Sequence, residues 1–163
     1  MITDERSRPG GRWVLLAYRL PREPSTPRIA LWRKLKRLGV VQIGDGLVGL
    51  PLDSRTREAL EWIAEEVLEA DGEAAIWLAA SPSRRQEREL ASRMAGAIAA
   101  EYEAVAQAAH AAAGEALPVR RRTLARLRRE LHRIRRRDFF PPPERQQAEE
   151  AVEALAQALE VAA

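Results

Sequence analysis

The stretch from Trp13 to Leu52 constrains the fold more than any other part of the chain, because its structural signals follow one another closely. Trp13–Ala17 is a continuous apolar run that is too short for a helix and is typical of a buried central strand. Thr26 and Pro27 then supply a helix N-cap and a first-turn proline, and Gly39 ends the helix. The apolar residues between them recur at helical spacing: Leu31, Trp32, Leu35 and Leu38.

Two short apolar runs after this helix predict a β-hairpin. Val40–Ile43 and Leu47–Leu52 are joined by Gly44-Asp45-Gly46, a turn of the kind that closes hairpins. The segment Gly44–Gly49 also matches the pattern G-x-G-x-x-G, but a dinucleotide site needs a helix to begin at the third glycine. Because an apolar run continues through that glycine, we interpret the segment as a hairpin turn.

A second helix and a fourth strand follow. Asp53 or Ser54 caps a helix that extends to about Glu69, and Ala74–Ala79 has the character of a strand. The predicted inner face of the helix consists of Ala59, Leu60, Ile63, Ala64, Val67 and Leu68. Of the four tryptophans, we expect Trp13, Trp32 and Trp77 in the core and Trp62 at an edge or interface. The order β-α-β-β-α-β is that of a ferredoxin-like unit.

The last part of the chain predicts a bundle of three helices. Their expected ranges are Ser81 to about Ala113, about Val119 to Arg137, and about Glu144 to Val161, with breaks at Gly114, Pro118 and Pro141–Pro143. We therefore predict an α+β protein with a flexible arm at residues 1–11, a ferredoxin-like domain at 12–80 and a helical bundle at 81–163.

The middle helix of the bundle carries the strongest functional signal. Val119–Arg137 contains ten arginines and a single glutamate, although the whole chain has a net charge of only +3. Four apolar residues spaced three, four and three apart form a coiled-coil-like seam, Leu124, Leu127, Leu131 and Ile134, so the arginines occupy the remaining faces. Arginine binds phosphates and other tetrahedral oxyanions bidentately. The predicted nucleic-acid or oxyanion site is Arg120, Arg121, Arg122, Arg126, Arg128, Arg129, Arg133, Arg136 and Arg137. The alternative is that these arginines pair with acidic faces of the chain or of a second subunit.

Other chemistry finds little support in the sequence. Arg28, Arg33, Lys34 and Arg37 form a secondary basic face on the first helix, a pattern that solvated surfaces also show. The chain has no cysteine and only two histidines, so we expect no metal site, no cofactor and no catalytic activity. A polar amino-terminal segment and the lack of a long apolar run predict a cytoplasmic protein without a membrane span.

Several short motifs resemble the amino-terminal domain of ChrB, a family of bacterial regulators associated with chromate resistance. They are Leu15–Pro21, Glu23-Pro24-Ser25, Ala30–Leu35, Leu38-Gly39, Asp45-Gly46, Leu50-Pro51, Glu61-Trp62, Gly72-Glu73-Ala74 and Arg137-Asp138-Phe139-Phe140. The first helix and hairpin are also similar to the middle domain of PaaX-type repressors, which in turn resembles the ferredoxin-like nuclease subunit of CRISPR adaptation systems. That nuclease carries an aspartate near the end of its first strand, where this chain has Tyr18-Arg19-Leu20.

The resemblance implies a cytoplasmic transcriptional regulator that dimerises through its first domain. In this interpretation the Arg-rich helix contacts DNA phosphates or captures chromate or another oxyanion, and the sequence does not choose between them. The alternative is a non-catalytic interaction module whose basic helix docks on an acidic partner surface. ChrB proteins are generally longer than this chain, and PaaX-type repressors carry a winged helix for which nothing comparable precedes Trp13.

Overall fold

The computed structural model describes residues 11–162, so the predicted flexible arm lies outside the described residues except for Gly11. The elements are β1 (Arg12–Arg19), α1 (Thr26–Leu38), β2 (Val41–Gly44), β3 (Leu47–Pro51), α2 (Ser54–Glu69), β4 (Glu73–Ala80), α3 (Arg84–Ala112), α4 (Leu117–Arg136) and α5 (Glu144–Val161). The chain divides into two compact units, Met1–Ala91 and Ser92–Ala163, so α3 begins in the first unit and ends in the second. The predicted boundary between residues 80 and 81 stays a prediction.

The first unit is built on one four-stranded sheet in the order β2-β3-β1-β4. Every pair of neighbouring strands is antiparallel: β1 with β3, β1 with β4, and β2 with β3. Helix α1 connects β1 to β2, and helix α2 connects β3 to β4. The predicted element order β-α-β-β-α-β and the α+β class are thereby confirmed.

Local capping explains where the helices of the first unit begin and end. Gly39 ends α1 with φ of 80°, a left-handed conformation that glycine adopts at no steric cost. Of the two predicted caps of α2, Asp53 and Ser54, the structure has Asp53, whose carboxylate accepts from the Thr56 N–H at 2.7 Å. The predicted cap at Thr26 is wrong: Ser25 occupies the N-cap position without a side-chain hydrogen bond, and Thr26 is already helical.

The hairpin between β2 and β3 turns at Asp45-Gly46. Gly46 has φ of 67°, and a Cβ at this position would collide with the backbone carbonyl of Tyr18. The Tyr18 N–H donates to the Gly46 carbonyl at 2.8 Å, which ties the turn to the end of β1. Because β3 rather than a helix follows, this glycine-rich segment is a hairpin and lacks the geometry of a dinucleotide site.

The core of the first unit lies between the sheet and helices α1 and α2. Its most deeply buried side chains include Val14, Leu16, Leu35, Leu60 and Val67. Two burial predictions are wrong: Trp77 is 61% exposed and Leu68 is 54% exposed. Trp77 lies opposite Leu15 of β1, so its side chain is on the face of the sheet away from Val14 and Leu16, which are buried in the core. Trp13 is buried as predicted, Trp32 is half-buried, and Trp62 is exposed.

Residues of α3, α4 and α5 form one apolar cluster in the second unit, which confirms the predicted three-helix bundle. Leu127 and Ile134 of α4 and Tyr102 of α3 are fully buried there, and Leu155 of α5 is also buried in the cluster. Helix α4 begins at Leu117, two residues earlier than predicted, because Pro118 belongs to its first turn rather than breaking the chain before it. Helix α5 has the predicted bounds, Glu144–Val161.

Candidate nucleic-acid interface

Helix α4 separates an apolar face from a cationic face. Leu124, Leu127, Leu131 and Ile134 are buried in the bundle. Because an α-helix turns by about 100° per residue, a side chain two residues from a seam residue points to the opposite side of the helix. These opposite positions begin at residue 122 and follow at spacings of four, three, four and three. They are all exposed arginines, and we call them the outer arginine row: Arg122, Arg126, Arg129, Arg133 and Arg136. Over 14 residues at about 1.5 Å each, the row extends along roughly 21 Å of helix.

Two arginines near the end of α4 are held by carboxylates of the neighbouring helices. Arg137 donates from both terminal nitrogens to Glu101 of α3, at 2.6 and 2.5 Å. Arg135 donates from Nε to Glu149 of α5 at 2.9 Å. The Glu101 hydrogen bonds raise the pKa of Arg137, against the opposing effect of burial. Arg137 was a predicted site residue, and the structure places it in the bundle rather than on the outer face.

The remaining arginines of α4 differ in how freely they present their charge. Arg126 contacts Glu130 of its own helix at 3.3 Å, an exposed pair worth only a few tenths of a kcal/mol, roughly 0.3–0.5. Arg136 also has an interaction partner. Arg120 is half-buried in the first turn, and its Nε has no hydrogen-bond partner. Five arginines make no ion pair within the described residues of the second unit: Arg121, Arg122, Arg128, Arg129 and Arg133.

A buried polar network anchors the carboxyl-terminal end of α4. The Tyr102 hydroxyl donates to Asp138 Oδ2 at 2.8 Å, and Arg145 Nη1 approaches the same oxygen at 3.4 Å. Burial raises the pKa of Tyr102, and the hydrogen bond to Asp138 raises it further. Burial alone would raise the pKa of Glu149, but hydrogen bonds from Arg145 and Arg135 outweigh it, so the pKa is lowered. These contacts hold the helix that carries the outer arginine row.

Sequence reasoning missed this network, although Asp138 stands in a motif that carries the family resemblance. Tyr102 and Asp138 lie 36 residues apart, as do Glu101 and Arg137. No local spacing pattern connects side chains at that separation, because the pairing depends on how α3 and α4 pack. Two adjacent residues of α3, Glu101 and Tyr102, bind two adjacent residues at the end of α4, Arg137 and Asp138. This match could be recognised in the sequence only if the packing of the two helices were already predicted.

The four residues of the predicted secondary basic face on α1 do not form one continuous cationic surface. Lys34 donates to Glu66 of α2 at 2.6 Å, so its charge is engaged between the two helices. Arg33 and Arg37 are exposed one turn apart, and Arg28 lies in the first turn of the helix.

Arg28 lines a cleft of about 810 Å³, which the sequence did not reveal. The cleft forms where the end of β1 and the start of α1 meet the β2–β3 turn, and Arg19, Arg22 and Tyr18 also line it. Burial raises the pKa of Tyr18, and the Arg28 charge lowers it by a smaller amount. Arg19 is paired with Glu73 and Asp45 also lines the cleft, so the positive charge there comes mainly from Arg22 and Arg28.

The outer arginine row is extended rather than convergent, and this geometry decides which anions it suits. The Cβ atoms of residues three and four apart on a helix lie about 5–6 Å from one another, so the row distributes its charges along a line and does not gather them around one point. A polyanion with charges repeated along a line can meet all of them at once. The phosphates of a nucleic-acid strand form such a line.

Across residues 11–162, no three His, Asp or Glu side chains come close enough together to hold a metal ion. None of the helices in that range combines the length and the hydrophobicity that crossing a bilayer requires.

Comparison with known proteins identifies the family. The profile of the family described as "Protein ChrB, N-terminal" matches residues 28–115, more than half of the chain. The chain belongs to the ChrB amino-terminal family. Protein ChrB of Cupriavidus metallidurans is 35% identical to it over 72 residues, which are 44% of this chain and 22% of that protein. The match thus spans less than a quarter of the length of that ChrB protein. No solved structure matches the chain.

The matched segment places the ChrB family signal on particular elements. Residues 28–115 run from the first turn of α1 to the end of α3. The match ends before α4 begins at Leu117, so the outer arginine row lies outside it. Family membership confirms the resemblance, while any function of the row has to be argued from the geometry of α4.

Proposed function

We propose that this ChrB-family chain belongs to a transcriptional regulator associated with chromate resistance, and that α4 binds DNA through the outer arginine row. The row contacts phosphates along one strand, and the chain acts by binding, without catalysis. One observation supports this most: five exposed arginines repeat along one face of a helix whose opposite face is anchored in the bundle. Anchoring keeps the row straight and pre-organised, which lowers the cost of ordering it on DNA.

The number of contacting arginines sets the expected salt dependence. Each neutralised phosphate contributes about −0.9 to the slope of log K against log salt. Contacts from Arg122, Arg129 and Arg133 alone give a slope of about −2.7, and all five members of the row give about −4.5. The larger value corresponds to a roughly 500-fold loss of affinity between 50 and 200 mM salt.

The test measures binding of a fluorescently labelled duplex by anisotropy from low to physiological salt. One duplex carries the region upstream of the protein's own gene, and the other is a scrambled sequence. Changing Arg129 and Arg133 to Gln together should lower the magnitude of the salt slope by about 2. The matched control changes Arg84 and Arg88 to Gln, since these are also exposed, lie four residues apart on a helix and make no ion pair among the described residues of the first unit.

The outcomes separate the proposal from its rivals. A slope that falls only in the α4 variant, with tighter binding to the upstream region, supports a DNA-binding regulator. Equal changes in both variants would mean that general charge, not the outer arginine row, drives binding. No binding at low salt would overturn the DNA proposal and favour the interaction module whose basic helix docks on an acidic partner.

Oxyanion capture by α4 is tested in the same titration. Because the arginines of the row are spread along the helix and do not surround one point, chromate should displace DNA no better than sulfate at equal ionic strength. Displacement by chromate at concentrations where sulfate has no effect would show that the site holds the small oxyanion itself.

A further inference from the structure

The cleft of about 810 Å³ in the first unit has two walls. One wall is a single face at the start of α1, because residues three and four apart on a helix lie side by side. Its members are Ser25, Arg28, Ile29 and Trp32. The other wall comes from the end of β1, the residues after it and the β2–β3 turn, and the Tyr18–Gly46 backbone hydrogen bond holds these parts together. Sites for small organic ligands have volumes of about 300–1,000 Å³, so the cleft is large enough for one.

Two arginines bring positive charge to the cleft, one from each wall. Arg22 and Arg28 are exposed, and neither makes an ion pair with any other residue of the described range 11–162. Arg19, by contrast, is already paired with Glu73 at 2.9 Å. Guanidinium groups bind phosphate and carboxylate oxygens through paired hydrogen bonds, so the two available arginines suit one anionic group.

The hydroxyl of Tyr18 adds a neutral donor to the same region. Tyr18 is half-buried, and among the described residues its hydroxyl has no hydrogen-bond partner. Burial raises the pKa of Tyr18, so the hydroxyl keeps its proton at neutral pH and can donate it to an anion. The Arg28 charge lowers this pKa by a smaller amount, which places Arg28 near the hydroxyl.

An apolar surface adjoins these donors along α1. Trp32 is half-buried and Ile29 is 51% exposed, and Trp32 lies one turn after Arg28 on the same side of the helix. A small tetrahedral anion would contact the arginines and leave this apolar surface in water. An anion that also carries a flat ring would cover it, because flat rings stack on indole.

Asp45 of the β2–β3 turn gives the cleft a hydrogen-bond acceptor. Its side chain is exposed, lines the cleft and makes no ion pair within residues 11–162. An ionised carboxylate only accepts hydrogen bonds and repels other anions, so the ligand group next to it has to be a donor. A nucleotide has such donors in its ribose hydroxyls, whereas a plain aromatic phosphate or carboxylate has none.

We propose that this cleft binds a nucleoside monophosphate. The phosphate lies between Arg22 and Arg28, within reach of the Tyr18 hydroxyl. The base stacks on Trp32, and the ribose hydroxyls donate to Asp45. A free nucleotide and the phosphorylated end of a nucleic-acid strand offer the same groups. The site belongs to the first unit, so its function does not depend on DNA binding by α4 in the second.

The test titrates the full chain with adenosine monophosphate by isothermal calorimetry, without duplex DNA. One molecule should bind to each chain. Adenosine lacks the phosphate, inorganic phosphate lacks the ring, and phenyl phosphate lacks the hydroxyl donors. Each of these three should bind roughly tenfold more weakly, or less well still, because each leaves some of the cleft groups without a partner.

Substitutions in the cleft test the assigned contacts. Arg28→Gln should weaken binding of adenosine monophosphate roughly tenfold or more, because hydrogen bonds to a charged group are lost. Trp32→Leu should weaken it roughly fivefold or more, and Trp32→Phe, which keeps a ring, should retain most of the affinity. The matched control is Arg88→Gln, since Arg88 is an exposed arginine of the same unit outside the cleft, and it should change nothing. Circular dichroism verifies that each variant is folded.

A 5′-phosphorylated single-stranded oligonucleotide distinguishes the two sources of the ligand. If Arg28→Gln weakens its binding by the same factor as that of adenosine monophosphate, the cleft accepts a strand end. If the oligonucleotide binds equally well to both proteins, the cleft takes the free nucleotide.

Three results would overturn the proposal. The first is no binding of adenosine monophosphate at millimolar concentrations. The second is an equal loss of affinity in Arg28→Gln and Arg88→Gln, since general charge would then explain the binding. The third is equal affinity for phenyl phosphate, which would assign the cleft to a simpler aromatic anion. None of these results bears on the outer arginine row, which is tested by the salt dependence of duplex binding.

Discussion

Replacing Tyr102 by phenylalanine removes one hydroxyl from the centre of the polar network that anchors α4. The Tyr102 side chain is fully buried, and its hydroxyl donates to Asp138 Oδ2 at 2.8 Å. The Asp138 side chain is 0% exposed, and its other oxygen, Oδ1, already lacks a hydrogen-bond partner. In the variant, the carboxylate retains the Arg145 contact at 3.4 Å, which is too long to replace the lost bond.

The expected cost follows from leaving a buried charge with too few donors. A hydrogen bond to a charged group contributes about 1.5–3 kcal/mol, more than the 0.5–1.5 kcal/mol or so of a neutral pair. We expect the free energy of unfolding to fall by about 1.5–3 kcal/mol in Tyr102→Phe. For a chain of this size, each kcal/mol of lost stability lowers the midpoint temperature of thermal unfolding by about 2–4 °C, so this temperature should fall by roughly 3–12 °C in the variant.

The assay is thermal and urea unfolding followed by far-ultraviolet circular dichroism. All four tryptophans precede Ala91, so tryptophan fluorescence follows the first unit separately. The matched control is Tyr18→Phe, because Tyr18 is half-buried in the first unit and no hydrogen bond of its hydroxyl is present among the described residues. The control substitution should lower the free energy of unfolding by less than about 0.5 kcal/mol. A Tyr102→Phe variant as stable as the wild type, or a Tyr18→Phe variant equally destabilised, would refute the reasoning.

Two further predictions follow from burial. Leu127→Ala should destabilise the bundle by about 2–5 kcal/mol in urea unfolding, because Leu127 is fully buried and a cavity remains. Val161→Ala, at a side chain that is 90% exposed, should change the stability by less than about 0.5 kcal/mol, and similar losses in both variants would contradict this. Burial raises the pKa of both Tyr18 and Tyr102, so their neutral forms add stability that is complete below about pH 10 and is lost as the pH rises further. Absorbance at the tyrosinate wavelength should therefore stay low near pH 10 in the folded chain and rise there in denaturant; ionisation near pH 10 with circular dichroism unchanged would count against it.

Local sequence signals determined most of the secondary structure. Asp53 and Thr56 form a capping box, Gly39 adopts the left-handed conformation that ends α1, and the prolines before Glu144 stop one helix before the next begins. Each of these effects acts within a few residues, which is why a single sequence reveals them. The leucine seam of α4 likewise implied that its arginines face outward, and the exposed row of Arg122 to Arg136 agrees with that spacing.

Tertiary structure alone decided which charges and apolar groups remain available. Arg137 and Arg129 look alike in the sequence, yet Arg137 pairs with Glu101 while Arg129 makes no ion pair in the second unit as described. Trp77 is a residue type that is common in cores, but its register opposite Leu15 places it on the face of the sheet away from the buried Val14 and Leu16, and it is 61% exposed. These outcomes depend on which elements become neighbours after folding. Periodicity along the chain specifies the face of a helix or strand, and only the packed arrangement specifies what that face meets.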